Sequence, residues 1–401
     1  MNRRSVRGAL GRRVITALRS FDLEAVTAAS LKASALDPDA PVRVIAMGKA
    51  AASMAHAISR ARDVHAGVLI VPQGAPPERL GSKWTVLRAA HPIPNASSVV
   101  AGKAVLTFAK EVSDVPLIVL VSGGASALAC APHADTTLRE KKRVTRALLA
   151  RGASIAEINT VRKHLSLLKG GGLLAAARAA SVHTIAVADV IGGTLSDIAS
   201  GPSVPNESTV SDARRIARHY ALGELPFHPT PALSSRVHKA RTRAAIASSP
   251  EHFATYLGAS LRSFGKVRVL RPRVGSVFEM AESVAALANR IRPGEVIVYA
   301  SEPTVLLPPR PGKGGRSCHL AALVAERLPS NVCFLALGTD GADGTSGTAG
   351  AVVDASLASH PLYRSSLAQF DTARLHRAAG TALETGLTGL NFADMHVLAR
   401  V

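Results

Sequence analysis

The sequence predicts an α/β protein of two domains, an N-terminal one built on a doubly wound parallel sheet and a smaller C-terminal α/β one. Short apolar runs end in glycine-rich turns and alternate with stretches of helical period, the pattern of parallel strands joined by crossover helices. Composition agrees: 47% of the residues are hydrophobic, only 3% are aromatic and 32 are Gly. That balance suits an Ala/Val/Leu-rich enzyme core and excludes a disordered or fibrous chain. At 401 residues the chain is long enough for two or three such cores.

The first twenty residues are Arg-rich and acid-free, as in an organelle transit peptide. Against that reading, Val14, Leu18, Leu23, Val26 and Ala29 form an apolar helical stripe running into the body of the protein, so a first helix is expected. Val42–Met47 reads as a strand, followed by Gly48-Lys49 and a helix over 50–60. Strands follow at 67–71 and 117–121, the latter ending in Ser122-Gly123-Gly124-Ala125-Ser126. A helical region over 137–168 leads to a strand at 184–188 that ends at Asp189. The segment 223–235 holds three prolines and reads as a linker, placing the domains at 1–235 and 236–401. Strands at 267–270, 296–300, 332–337 and 351–354 furnish the second domain.

Formal net charge is +20, from 48 Lys+Arg against 28 Asp+Glu. Nucleic acid, an anionic surface or small anionic substrates would each suit it. The basic residues are dispersed and not interleaved with aromatics for stacking, so nucleic acid is not the expected partner. No apolar run approaches the ~20 residues that span a bilayer, and no membrane partner is expected. Cys130, Cys318 and Cys333 form no CxxC pair, which points to a reducing, cytoplasmic setting without disulfides or a zinc site.

Five turn-rich segments carry candidate chemistry. Gly48-Lys49 stands at a strand-to-helix junction, where helix N–H groups and one ammonium can face an anion. Ser122, Gly123, Gly124 and Ser126 form a second junction of small residues that allow close approach to phosphate. Either turn is equally a product of tight packing, and neither fits the P-loop pattern GxxxxGK[ST]. Around Asn159, helical spacing puts Ile158, Val161, Leu165 and Leu168 on one face and Asn159, Arg162, Lys163, Ser166 and Lys169 on the other. The plain reading is a solvated basic face. The lack of an acidic partner on this stripe after Glu157 leaves an anion site open beside it. Asp189-Val190-Ile191-Gly192-Gly193 places a carboxylate after a strand, suited to a metal or to orienting a hydroxyl. Gly314 and Gly315 precede Arg316 at a helix start, where a guanidinium can hold an oxyanion in two parallel hydrogen bonds. Gly338-Thr339-Asp340-Gly341-Ala342-Asp343-Gly344 sets two carboxylates at the end of a strand, where open sheets place ligands. His91, in His91-Pro92-Ile93-Pro94-Asn95, is expected to be structural. Neither G-x-S-x-G nor a GxGxxG dinucleotide fingerprint after a strand is present.

In this order the segments MGKAAASM, HPIPN, VSGGASAL, INTVRKHLSLLKGG, ADVIGGTLSDIASGPSVP, GKGGR, LGTDGADGTSGTAG and TGLTGLNFADM resemble the bacterial and archaeal glycerate 2-kinases, whose C-terminal part is the MOFRL domain. They span about 44 to 395, nearly the whole chain. The resemblance implies a Rossmann-like N-terminal domain and ATP-dependent phosphorylation of the 2-hydroxyl of D-glycerate. It implies Lys49 and Arg316 as catalytic; with them, Gly48, Ser122, Gly123, Gly124, Ser126, Lys169, Gly314 and Gly315 are expected on nucleotide or phosphate, and Asn159 and Arg162 on substrate. Asp189 and Asp340 would hold Mg²⁺ or orient the hydroxyl. One departure stands out: the family continues GGR with Asn-Gln-Glu, and this chain with Ser317-Cys318-His319. The strand motif Ser301-Glu302-Pro303-Thr304 lacks the usual glycine, and Leu387 and Leu390 replace Pro and Thr. A kinase for another small hydroxy acid and a non-catalytic sensor of an anionic metabolite or nucleotide are the alternatives. The expected partners are glycerate and ATP, with a homo-oligomer left open.

Overall fold

The computed structural model describes residues 3–231 and 242–400. It divides into two compact units. The first holds 22–188 and 192–248; the second holds the chain up to Phe21, Asp189–Ile191 and Ser249 onward. The expected boundary at 235/236 lies outside the described residues. The proline-bearing stretch 223–231 has no regular structure and lies within the first unit, which continues to Ser248.

In the first unit six parallel strands, β1 (Val42–Met47), β2 (Val64–Pro72), β3 (Trp84–Ala89), β4 (Leu117–Val121), β5 (Val182–Val187) and β6 (Thr242–Ser248), take the order β3-β2-β1-β4-β5-β6. This is the doubly wound order, and its direction reverses between β1 and β4. Every residue of β1, β4 and β5 is buried, so none of these strands alternates between a buried and an exposed face, and Arg43, His183 and Thr184 are buried among their apolar residues. The reversal brings Gly48-Lys49, after β1, beside Ser122-Gly123-Gly124, after β4.

The helical region expected over 137–168 is two helices, Leu138–Ala150 and Ile155–Lys163. Gly152 at φ +73° breaks them, and Ser154 caps the second by accepting from the Glu157 N–H. Because that helix ends at Lys163, Ser166 and Lys169 lie beyond it. The basic face is not solvated either: Asn159, Lys163 and Lys169 are all buried. The apolar face behaves as expected, with Ile158, Val161 and Leu165 packing on Val144, Leu148 and Ile216 in a small core of their own.

The second unit carries β7 (Lys266–Val269), β8 (Arg273–Ser276), β9 (Glu295–Thr304), β10 (Val332–Gly338), β11 (Gly350–Val353), β12 (Ala382–Leu383) and β13 (Asp394–Arg400). The order is β12-β11-β10-β13-β9-β7, with β8 also on β9. Pairing is antiparallel except where β7 and β8 join β9. The central strand β13 has no counterpart in the expected set. The first helix, Arg3–Arg19, belongs to this unit and packs on the helix Pro250–Ser260 and on β11. The stripe from Val14 to Ala29 is therefore split. Asp22 accepts from the Ala25 N–H at 2.8 Å and starts a new helix, Leu23–Lys32, in the first unit. At the break, Phe21 meets Phe253, Tyr256 and Phe392 edge-on at 5.0–5.2 Å, concentrating scarce aromatics in one core. No helix among the described residues is long and apolar enough to cross a membrane.

Candidate active site

In the first unit the two turns after β1 and β4 lock together. Lys49 N–H donates to the Gly123 carbonyl at 2.8 Å, and Ala50 N–H donates to Ser122 Oγ at 3.0 Å. Gly48 sits at φ +132°, and a Cβ there would overlap Ser122, so only glycine fits. These two N–H groups are occupied within the protein and do not form the anion cradle expected of a helix start. What this junction offers an anion is the Lys49 ammonium. His91 touches the same turn, about 3.0 Å from where a Cβ on Gly124 would stand. Burial and then the Lys49 charge hold its pKa below the ordinary histidine value.

Further along the same turn, Ser126 anchors a polar network. Lys169 Nζ donates to Ser126 Oγ at 2.7 Å and to the Ser126 carbonyl at 3.2 Å. Ser126 Oγ and Ser200 Oγ lie 3.0 Å apart, and the Ser200 hydroxyl donates to Asn159 Oδ1 at 3.0 Å. Ser200 and Ala199 are held at φ +61° and +54°, a costly conformation for residues with a side chain. Lys163 is drawn elsewhere, to Ser196 Oγ at 2.6 Å. The structure thus joins Ser126 to Asn159 through Ser200, with Lys169 bonded to Ser126 directly.

In the second unit, Arg316 opens the helix Arg316–Ala325 and is held by β13. Its Nε lies 2.8 Å from Asp394 Oδ2, and a terminal nitrogen donates to Asp394 Oδ1 at 2.9 Å. The Ser317 hydroxyl donates to the same carboxylate at 3.2 Å, and Glu302 Oε1 lies 3.9 Å from Arg316. Burial pushes Asp394 up to about 7 against the pull of Arg316. The bidentate geometry is that of an ionised pair. Asp343 is no open ligand: its two oxygens accept from the Ser317 and Cys318 N–H groups at 2.9 and 2.8 Å. It caps the helix from a distant loop, and Gly315 makes room, since a Cβ there would overlap Asp343.

The departure Ser317-Cys318-His319 now has a physical content. Ser317 helps hold Asp394, and Cys318 contributes its N–H to Asp343. His319 stacks on Phe370 at 4.3 Å and 8°. Burial lowers His319 to about 4, so it is neutral near pH 7 and brings no negative charge where the resemblance places a carboxylate. Arg316, His319 and Phe370 line a cavity of about 890 Å³ with the loop Gly312–Gly315.

Asp340 accepts from the Ala342 N–H at 3.1 Å, and Asp189 accepts from Asn391 at 3.2 Å. Among the described residues no three His, Cys, Asp or Glu side chains converge in a metal-binding group. Carboxylate oxygen is nonetheless the right donor for Mg²⁺, which is commonly held by one or two carboxylates plus the substrate's phosphates. The three cysteines are free and buried.

Sequence reasoning missed Asp394 and Lys141. Asp394 lies in the closing NFADM segment, a single carboxylate leading an apolar run. Lys141 falls on the apolar stripe of its helix with Val144 and Leu148, and a lysine at such a position was the available signal.

A domain of unknown function, DUF4147, matches residues 3–233, and the MOFRL family matches 295–394. A glycerate 2-kinase from Pyrococcus horikoshii is 31% identical, covering 79% of this chain and 76% of that one. The mouse glycerate kinase is 32% identical over 88% of this chain and 83% of its own. A protein provisionally named a hydroxypyruvate reductase, from Agrobacterium vitis, is 34% identical over 88% and 98%. The crystal structure of a glycerate kinase from Thermotoga maritima superposes with a TM-score of 0.84 at 26% identity, covering 99% of this chain and all of that one.

Proposed function

Since this chain belongs to the glycerate kinase family, we propose that it transfers the terminal phosphoryl group of ATP to the 2-hydroxyl of D-glycerate, giving 2-phosphoglycerate and ADP. The observation that carries this reading is Arg316. One edge of its guanidinium is fixed by Asp394, and the side chain, about a third exposed, lines the cavity beside the loop Gly312–Gly315. Such a group is preorganised to receive charge that develops on a transferring phosphoryl.

Lys49 would supply a second positive charge to the phosphates, with Gly48, Ser122, Gly123 and Gly124 shaping the turn that presents it. Ser126 and Lys169 would take phosphate oxygens, and Asn159 and Arg162 the hydroxy acid. Gly314 and Gly315 would let a phosphate approach the backbone next to Arg316. Asp189 and Asp340 would hold Mg²⁺, which neutralises phosphate charge when bound. Phosphoryl transfer asks for position and charge rather than a covalent intermediate, and these groups supply both.

The reductase name carried by one relative calls for a dinucleotide site. Here β1 runs into Met47-Gly48-Lys49, with no GxGxxG. The test is ATP consumption with D-glycerate and Mg²⁺, the product passed to enolase without a mutase, beside a control with hydroxypyruvate and NADH or NADPH. Enolase signal supports the kinase and transfer to the 2-hydroxyl. Nicotinamide oxidation without it would replace the kinase by a reductase.

A further inference from the structure

The cavity beside Arg316 is larger than a three-carbon acid and one transferring phosphoryl group require. Its volume of about 890 Å³ lies high in the roughly 300–1,000 Å³ range of ligand pockets. Arg316 and Lys313 give its lining positive charge, while Val305, Leu307 and Phe370 give it an apolar surface.

Phe370 is placed there against its own preference. It follows the helix Tyr363–Ala368 at φ +54°, a left-handed position that glycine ordinarily takes. For a bulky side chain this is an outlier, and such strain gathers at ligand sites where the surroundings over-determine it. They do so here. Gly312 N–H donates to the Gln369 carbonyl at 2.8 Å, Lys313 N–H to Asp371 Oδ1 at 3.1 Å, and Ala373 N–H to the Lys313 carbonyl at 3.0 Å. The turn that bears Phe370 is thereby laced to the loop that leads into Arg316.

Two polar groups on the same lining are unmatched. His319 Nδ1 and Thr372 Oγ1 are buried, on residues 3% and 0% exposed, with no hydrogen-bond partner among the described residues. Such atoms are costly in a native protein and call for a functional reason. An imidazole and a hydroxyl can each donate or accept. His319 also lies parallel to Phe370, 4.3 Å below it, so the apolar wall is a stack of two rings. A sugar acid has no flat apolar face to lay on such a stack, and an aliphatic chain has no edge for the polar groups. A heteroaromatic ring has both, a π face and a rim of donors and acceptors.

We propose that this cavity is the base subsite of the nucleotide, the ring stacking on Phe370, its edge served by Thr372 and His319, and its phosphate chain directed to Arg316. Calling the nucleotide ATP rests on the kinase reading; the aromatic wall rests on its own geometry. The departure at His319 then extends the surface on which the base lies.

The test is photolabelling of the whole chain with ADP that carries an azide on its base, the attachment site being read by peptide mass spectrometry. The label should attach within 303–319 or 369–372 and be blocked by excess ADP. Specific attachment in neither segment would overturn the subsite. Phe370→Gly keeps the left-handed turn and removes the ring. In calorimetry it should weaken ADP at least ~10-fold, the scale of one lost base–aromatic stack, and leave tripolyphosphate binding unchanged. Unchanged ADP affinity in the folded variant, or an equal loss for both ligands, would also overturn it. Should the variant not fold, the wild-type label still decides. Failure of the kinase reading looks different: no turnover of D-glycerate while the azide still labels this wall.

Discussion

In the second unit Arg316 lies among carboxylates, paired twice with Asp394 and 3.9 Å from Glu302, whereas in the first unit Lys141 and Lys169 are buried with no carboxylate partner among the described residues. The same kind of charge is handled in two ways, Arg316 by a carboxylate and the two lysines by carbonyl and hydroxyl oxygens. A paired guanidinium is fixed in direction and ready to act on charge that appears during reaction. A buried cation without a carboxylate is held at higher energy. The first arrangement gives aim, the second carries a cost of desolvation.

Stability separates the two most sharply. Asp394→Ala would leave Arg316 unmatched and Ser317 without an acceptor, and should cost about 3 kcal/mol, less than a fully buried break because Arg316 is partly exposed. Lys169→Met, which removes a buried charge rather than its partner, should leave the ligand-free protein as stable or more so. Urea denaturation of both variants checks this, and equal losses would erase the distinction. Asp343→Ala should cost about 2 kcal/mol through two orphaned N–H groups at the head of the Arg316 helix. Calorimetric melting would register it as a lower Tm.

Acid and alkali should also act differently on the two units. In the second, burial lowers His376 to about 4 and His396 to about 3. Between the unfolded value near 6.5 and those values the unfolded chain binds more protons, so stability falls as pH drops through this window. The effect is on the order of 3 kcal/mol per fully buried ring. In the first unit, Lys141 at about 8 gives the same sign in a different window, since between about 8 and 10.5 the unfolded chain again binds more protons and stability rises with pH. The effect is read as a steeper rise in wild type than in Lys141→Met.

The parallel sheet was legible because its central strands β1 and β4 are mostly apolar and run into glycine turns, a local signal. The second sheet was less so. β13 follows a loop and is recognisable as a centre only through its pairing with β9 and β10, which no local pattern encodes. Lys49 and Arg316 were visible as single cations in glycine turns. Asp394 was not, because its role depends on an arginine 78 residues away in sequence. Asp343 was visible but misread: a carboxylate in a glycine-rich loop looks the same whether it faces a metal or caps a distant helix. The helix break at Gly152 and the early stop at Lys163 turned a supposed solvent face into a buried network.

The central claim is that each unit supplies a charge to phosphoryl transfer, Lys49 from the first and Arg316 from the second. It is tested most directly by steady-state kinetics of Lys49→Ala and Arg316→Ala in the enolase-coupled assay, with folding checked by circular dichroism. Each variant should lose ~10²-fold or more in kcat, the scale of one lost transition-state charge contact. Near-normal turnover in both folded variants would contradict it.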